Sequence, residues 1–189
     1  MLTINGNFTQ SGGVFTAPSN LFVKGNFTID TGTFDASTNN SSLFIGSNFI
    51  QKGGTFTGGS AMTVNKTFEI SAGTFNAPTN LYIYDTFIIT GIPTTVFTHN
   101  SKTVTFYVNQ DYTISAGTAE FYNLTFTKTG GGNISLSLTD NFKVAGTWEL
   151  KNESTNAYYI YSTSTITVSG SLSIPSTPET GALYLGSPA

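Results

Sequence analysis

Short runs of alternating apolar and polar residues recur along the chain at intervals of about 19 to 22 residues. Five successive copies, each an apolar–x–apolar run with a phenylalanine four residues after it, begin at Leu2, Leu21, Leu43, Met62 and Leu81. Alternation over three to five residues, rich in β-branched and aromatic side chains, predicts short strands with one buried face. Because no stretch keeps apolar residues at helical spacing without an interrupting glycine or proline, we predict an all-β chain.

A fixed short period is typical of a solenoid, in which each repeat buries its apolar face against its neighbours. The residues between the runs are mostly Gly, Asn, Asp and Ser, which tolerate turn geometry. Three strands and three turns per repeat would close one rung, that is, one turn of a parallel β-helix. We predict a single β-solenoid domain over residues 1–189 with about eight rungs, regular over 2–103, irregular over 104–189, and right-handed as parallel crossovers are.

Stacking rungs about 4.8 Å apart would turn equivalent positions into inward ladders. A fully buried side chain of this kind contributes about 1.5–3 kcal/mol, so we interpret the phenylalanines as core rather than as a ligand platform. The first predicted ladder is Ile4, Val23, Ile45, Val64, Ile83, Val108, Leu138 and Val168. The second is Phe8, Phe27, Phe49, Phe68, Phe87, Tyr112, Phe142 and Leu172, and the third is Phe15, Phe34, Phe56 and Phe75 followed by Trp148.

A polar position precedes the phenylalanine of each repeat and predicts a corner ladder. A short polar side chain there can bond the backbone of its own turn and the next rung, which is a structural role. The ladder comprises Asn7, Asn26, Asn48, Thr67, Thr86, Asp111, Asn141 and Ser171.

Three carboxylates, those of Asp85, Asp111 and Asp140, fall at or beside this corner and are the candidate ligands for a Ca²⁺ ion. The alternative is that Lys66 forms an ordinary surface ion pair with Asp85. We predict no catalytic residue and no cofactor.

The two ends of the pattern predict self-assembly. Leu2 and Ile4 already form a full strand, and Leu183 and Leu185 resemble the opening strand of another rung. An unpaired strand edge at each end would allow head-to-tail contacts, and such contacts that do not close generate a filament. We therefore predict Leu2, Ile4, Leu183 and Leu185 as assembly residues and the chain itself as its own partner.

Composition narrows the function classes. Charged residues make up 9% of the chain, arginine is absent and the net charge is -3, which argues against nucleic acid as a partner. The chain has no cysteine, and no apolar run is long enough for membrane insertion. Its one histidine, His99, lies in a polar insertion, so a hydrolase triad is not indicated and we predict that the chain is not an enzyme.

The segments 121–131 and 168–174 resemble the strand–turn–strand units of bacterial β-solenoid surface proteins, the adhesins of the filamentous-haemagglutinin and autotransporter-passenger kind. The resemblance implies an extracellular or cell-surface location and a structural or adhesive role.

Two functions follow from this reading, a self-assembling filament or surface matrix, and a spacer or carbohydrate-contacting segment of a larger adhesin that touches cell-surface glycans. Two further functions are less favoured: an ice-binding protein, suggested by Thr55-Phe-Thr57, and a polysaccharide-active enzyme.

Overall fold

The computed structural model of the protein describes residues 1–90, 95–130, 134–152, 158–162, 165–174 and 183–186. None of these residues forms a helix with the length and hydropathy needed to cross a membrane. The strands, in chain order, are β1 (Leu2–Ile4), β2 (Phe8–Thr16), β3 (Asn20–Val23), β4 (Phe27–Asp35), β5 (Ser42–Ile45), β6 (Phe49–Gln51), β7 (Thr55–Thr57), β8 (Ala61–Val64), β9 (Phe68–Ile70), β10 (Gly73–Asn76), β11 (Asn80–Ile83), β12 (Phe87–Ile89), β13 (Thr95–Thr98), β14 (Thr103–Val108), β15 (Tyr112–Ser115), β16 (Glu120–Phe121), β17 (Asn123–Lys128), β18 (Ile134–Leu138), β19 (Phe142–Val144), β20 (Thr147–Asn152), β21 (Tyr158–Ser162), β22 (Ile166–Val168), β23 (Ser171–Ser173) and β24 (Leu183–Gly186).

These strands form three parallel sheets that wind into a β-solenoid of about seven turns. The first sheet contains β1, β3, β5, β8, β11, β14, β17, β20 and β23, in that order. The second sheet begins with β2, which pairs with the long strand β4. It branches at β4: β6, β9, β12, β15, β18, β21 and β24 follow one half of β4, and β7, β10 and β13 follow the other. The third sheet contains β16, β19 and β22. The all-β parallel β-helix is confirmed, with slightly fewer turns than the eight predicted.

The N-terminal ladders pair as predicted. In the first sheet Ile4 pairs with Val23, and the series continues through Ile45, Val64 and Ile83. Both phenylalanine ladders stack ring on ring, as in the pair Phe49–Phe68 with ring centroids 4.9 Å apart. The two ladders also meet edge to face, since the rings of Phe68 and Phe75 lie 5.1 Å apart at 89°. Both geometries are favourable for aromatic rings, so the core is one continuous aromatic column.

The predicted register is wrong after Ile83. This residue pairs with Phe106 instead of Val108, and Phe87 pairs with Ile114 instead of Tyr112. The cause is a wider rung: β14 continues through Val108, which pairs with Lys128. Eight positions separate Phe106 from Ile114, against four between Ile83 and Phe87, so the spacing of the first five repeats no longer applies.

The other late ladder members also lie elsewhere than predicted, because the longer rungs shift each of them to a different sheet. Phe97 takes the place beside Phe75 that was predicted for Trp148. The corrected pairings are Leu138 with Ile114, Phe142 with Ile166, Val168 with Val144, and Trp148 with both Leu124 and Leu172.

Replacing Phe49 by alanine tests the aromatic column. Phe49 is fully buried between the rings of Phe27 and Phe68, so we expect Phe49→Ala to lower the free energy of unfolding by about 3–5 kcal/mol. Thr28 is half-buried on the opposite face of β4 and serves as the control, with an expected loss from Thr28→Ala of less than about 1 kcal/mol. Chemical denaturation of both variants measures the difference, and equal losses would contradict the inward assignment of Phe49.

Candidate functional site

The corner between the first and second sheets is held by asparagine side chains. The Oδ1 atom of Asn7 accepts a hydrogen bond from the backbone N–H of Asn26 at 2.8 Å. Asn26 Oδ1 accepts from Asn48 N at 3.2 Å, and Asn48 Oδ1 accepts from Thr67 N at 3.1 Å. Each side chain thus satisfies a backbone donor on the next rung, where strand pairing has ended. The ladder is therefore a structural brace.

Asn141 does not belong to this corner. It lies between β18 of the second sheet and β19 of the third, whereas Asn7, Asn26 and Asn48 precede strands of the second sheet. Its predicted place in the ladder fails for the same reason as that of Phe142, since the wider rungs shift the Asn-Phe pair to another face. An equivalent brace does occur at Asn123, whose Oδ1 accepts from Thr147 N at 3.0 Å.

The three candidate calcium ligands do not converge on one point. Asp85 Oδ1 accepts from Thr86 N, Asp111 Oδ1 accepts from Ser135 N, and Asp140 Oδ2 accepts from the Ser115 hydroxyl and from Gly117 N. Across the described residues, no three His, Cys, Asp or Glu side chains are grouped so that they could hold a metal ion. Asp85 instead braces its own turn, and Asp111 and Asp140 each link two neighbouring rungs.

A groove beside Asp85 is the more distinctive feature. Gly46, Asn65 and Tyr84 occupy equivalent positions just after the first-sheet strand on three successive rungs, as their backbone bonds to Val23, Ile45 and Val64 show. Tyr107 follows on the next rung, and its ring stacks on that of Tyr84 at 4.6 Å and 14°. On the side of Tyr84 opposite Tyr107, the two preceding rungs carry only Asn65 and Gly46 at this position.

We name this space the Tyr84 groove; it encloses about 350 Å³ and is lined by Gly46, Asn65, Lys66, Tyr84, Asp85, Asn109 and Gln110.

The polar groups of the Tyr84 groove leave several bonding positions open. Asp85 Oδ1 accepts hydrogen bonds from Thr86 N, from the Thr86 hydroxyl and, at 3.5 Å, from Gln110 Nε2. Its other oxygen, Oδ2, accepts none from the described residues. Lys66 is exposed and has no carboxylate within 4.0 Å in the described part of the chain, so the predicted Lys66–Asp85 ion pair does not form. Partial burial and the neighbouring Tyr107 and Tyr82 raise the pKa of Tyr84 above its usual value, which keeps the phenol protonated.

The Tyr84 groove was not predicted from the sequence. The outward alternation Tyr82-Ile83-Tyr84 is visible in the sequence, and it could have indicated two aromatic side chains on one outer face. The third ring, Tyr107, comes into place only through the pairing of Ile83 with Phe106, which the predicted register missed.

The predicted assembly residues lie at the two ends of the solenoid but in different sheets. Leu2 and Ile4 belong to β1 of the first sheet, and Leu2 is 41% exposed. Leu183 and Leu185 lie in β24 of the second sheet, where they pair with Tyr158 and Ile160. The predicted equivalence of β24 with β1 is therefore wrong; the N-terminal counterpart of β24 is β2.

No protein-family model, no curated protein and no solved structure matches this chain. The β-solenoid therefore rests on the strand pairing, and the adhesin type stays a prediction from the resemblance of the repeats.

Removing one asparagine side chain tests the corner brace. We expect Asn26→Ala to lower the free energy of unfolding by about 1–3 kcal/mol, because Asn48 N, in a half-buried corner, loses its partner. Thr67→Ala is the control, since Thr67 donates its backbone N–H to Asn48 and its side chain takes no part in that bond. Thermal unfolding of both variants gives the comparison. An Asn26→Ala protein as stable as the parent would contradict a bracing role.

Proposed function

We propose that this chain is a structural element of an extracellular or cell-surface protein and that copies of it associate end to end along the solenoid axis. The observation that carries the proposal is the match between the two ends. At one end β1 and β2 close the first and second sheets, and at the other end β23 and β24 do so. Among the described strands, the same two sheets thus have an outermost strand at both ends, as axial stacking requires.

The outer edge of β1 carries specific open groups. Ile4 O accepts a hydrogen bond from Lys24 N, so the backbone of Ile4 faces β3. Backbone direction alternates along a paired strand, and the N–H and C=O of Thr3 therefore point away from β3. Apolar side chains are also uncovered at this end, where Leu2 is exposed and Phe8 and Phe15 are only half-buried. A strand of another copy would satisfy the backbone and cover the rings.

The extracellular location rests on the resemblance of the repeats to bacterial surface adhesins. The alternative role is that of a spacer within a larger adhesin. In that role the same strand edges would pair with further rungs of the same polypeptide and not with a second copy. Ice binding is less well supported, because the threonine rows are interrupted where Asp35 and Asn76 pair with Thr57.

A proline on the open edge tests axial association. Thr3→Pro removes an outward N–H donor while leaving the backbone of Ile4 bonded to β3, and proline is tolerated in edge strands. We expect Thr3→Pro to associate only at a concentration up to about tenfold higher than the parent requires. Light scattering and sedimentation measure both concentrations. Thr3→Val keeps the N–H and should associate like the parent.

Electron microscopy of the parent should show rods longer than one solenoid. A parent chain that stays monomeric at high concentration would overturn end-to-end association and favour the spacer role. Equal association of Thr3→Pro and Thr3→Val would show that the β1 edge is not the contact.

A further inference from the structure

The Tyr84 groove has the features of a ligand site on the flank of the solenoid, away from its ends. We propose that it binds a hexopyranose unit of an uncharged glycan chain. The inference goes beyond the structural role and is independent of axial association, because β11, which precedes the groove, is an interior strand of the first sheet.

The ring of Tyr84 supplies the flat surface. One face packs on Tyr107 at 4.6 Å and 14°, and the other faces the rung that carries Asn65. Tyr84 is 37% exposed, so a substantial part of the ring remains accessible to solvent. The face of an aromatic ring is electron-rich. The C–H bonds on one side of a pyranose ring are weakly positive, and the two surfaces therefore pack together.

Gly46 keeps the space beside this ring open. A Cβ atom at position 46 would lie 2.6 Å from the backbone oxygen of Lys24, so the backbone there is packed too closely for a side chain. Gly46 lies two rungs before Tyr84, and the short Asn65 lies one rung before it. The row of side chains is therefore interrupted by an open space at these two rungs. Its volume of about 350 Å³ falls at the lower end of the range of small-molecule sites, about 300–1,000 Å³.

The polar lining matches sugar hydroxyls. Asp85 offers a free carboxylate oxygen, and Asn65, Asn109 and Gln110 offer amide groups that both donate and accept. Neighbouring hydroxyls of a pyranose also donate and accept, so they can bond such groups in pairs. Gln110 is already held toward Asp85 by its Nε2 contact at 3.5 Å, which partly orders the two side chains before binding.

Two other ligand classes fit less well. A peptide could not add as a strand here, because β11 is already paired on both sides, with β8 and β14. An anionic ligand such as a phosphate would meet Asp85 together with Lys66, and these opposite charges leave no net positive field. An uncharged glycan makes use of the aromatic face, the amides and the Asp85 oxygen as a hydrogen-bond acceptor, and it needs no net charge in the groove.

The test uses the full chain and a panel of neutral hexasaccharides of glucose, galactose and mannose in β- and α-linkage, titrated by calorimetry. We expect at least one to bind the parent and Tyr84→Ala to weaken that binding by tenfold or more. Tyr84→Phe keeps the ring and should bind within about twofold of the parent. Tyr122→Ala removes a tyrosine of nearly equal exposure, 36%, outside the groove and should leave affinity unchanged.

A second variant fills the groove without removing Tyr84. Asn65→Tyr places a ring one rung below Tyr84, where it would extend the existing stack and cover the free face. We expect this variant to fold, as judged by circular dichroism, and to lose binding at least tenfold.

Absence of binding by every neutral oligosaccharide would overturn the proposal. Binding that is equal in the parent, Tyr84→Ala and Asn65→Tyr would also overturn it, as would binding of unstructured peptides or acidic oligosaccharides alone. None of these outcomes depends on whether the parent associates end to end.

Discussion

Every rung of this protein must place its residues directly above those of the previous rung, and this constraint governs the rest of the structure. On the inward face, parallel pairing at about 4.8 Å leaves little room for a side chain that differs greatly in shape from its neighbours. Phenylalanine satisfies the constraint well, because flat rings stack at the strand spacing. The centroids of Phe8 and Phe27 are 4.7 Å apart, and those of Phe56 and Phe75 are also 4.7 Å apart.

The same constraint explains the glycines at the bend between the two branches of the second sheet. Gly32, Gly54 and Gly73 all have positive φ, and each lies almost against the backbone of the rung before it. A Cβ atom on Gly54 would stand 2.4 Å from Gly32 O, and one on Gly73 would stand 2.4 Å from Gly54 O. Glycine is therefore required here both by the left-handed backbone and by the stacking. Each requirement alone favours glycine, and the two together explain why it recurs at this corner.

The sequence was sufficient to predict the fold and the N-terminal register, because identical side chains recur at nearly constant spacing there. It was insufficient after Ile83, where β14 and β15 together add four positions between the partners of Ile83 and Phe87, while the corner between them stays three residues long. The motif Asn141-Phe142 looks the same as Asn26-Phe27 but lies on another face. Local motifs identify a strand and its corner, whereas the sheet that the strand joins depends on the length of every rung before it. For the same reason the Tyr84 groove, which lies where the rungs begin to widen, could not be read from the sequence.

The widening therefore links the fold to the proposed binding site. In the narrow rungs outward positions of the first sheet carry Phe22 and Phe44, whose rings lie 6.0 Å apart at 38° and form no parallel stack. Where β14 extends past Phe106, Tyr107 remains in the sheet and supports the ring of Tyr84. The turn that follows, residues 109–111, adds the amides of Asn109 and Gln110 to the groove. The core accommodates the change in rung length by placing Phe106 beside Ile83. On the outside, the same change creates a surface that the regular rungs do not have.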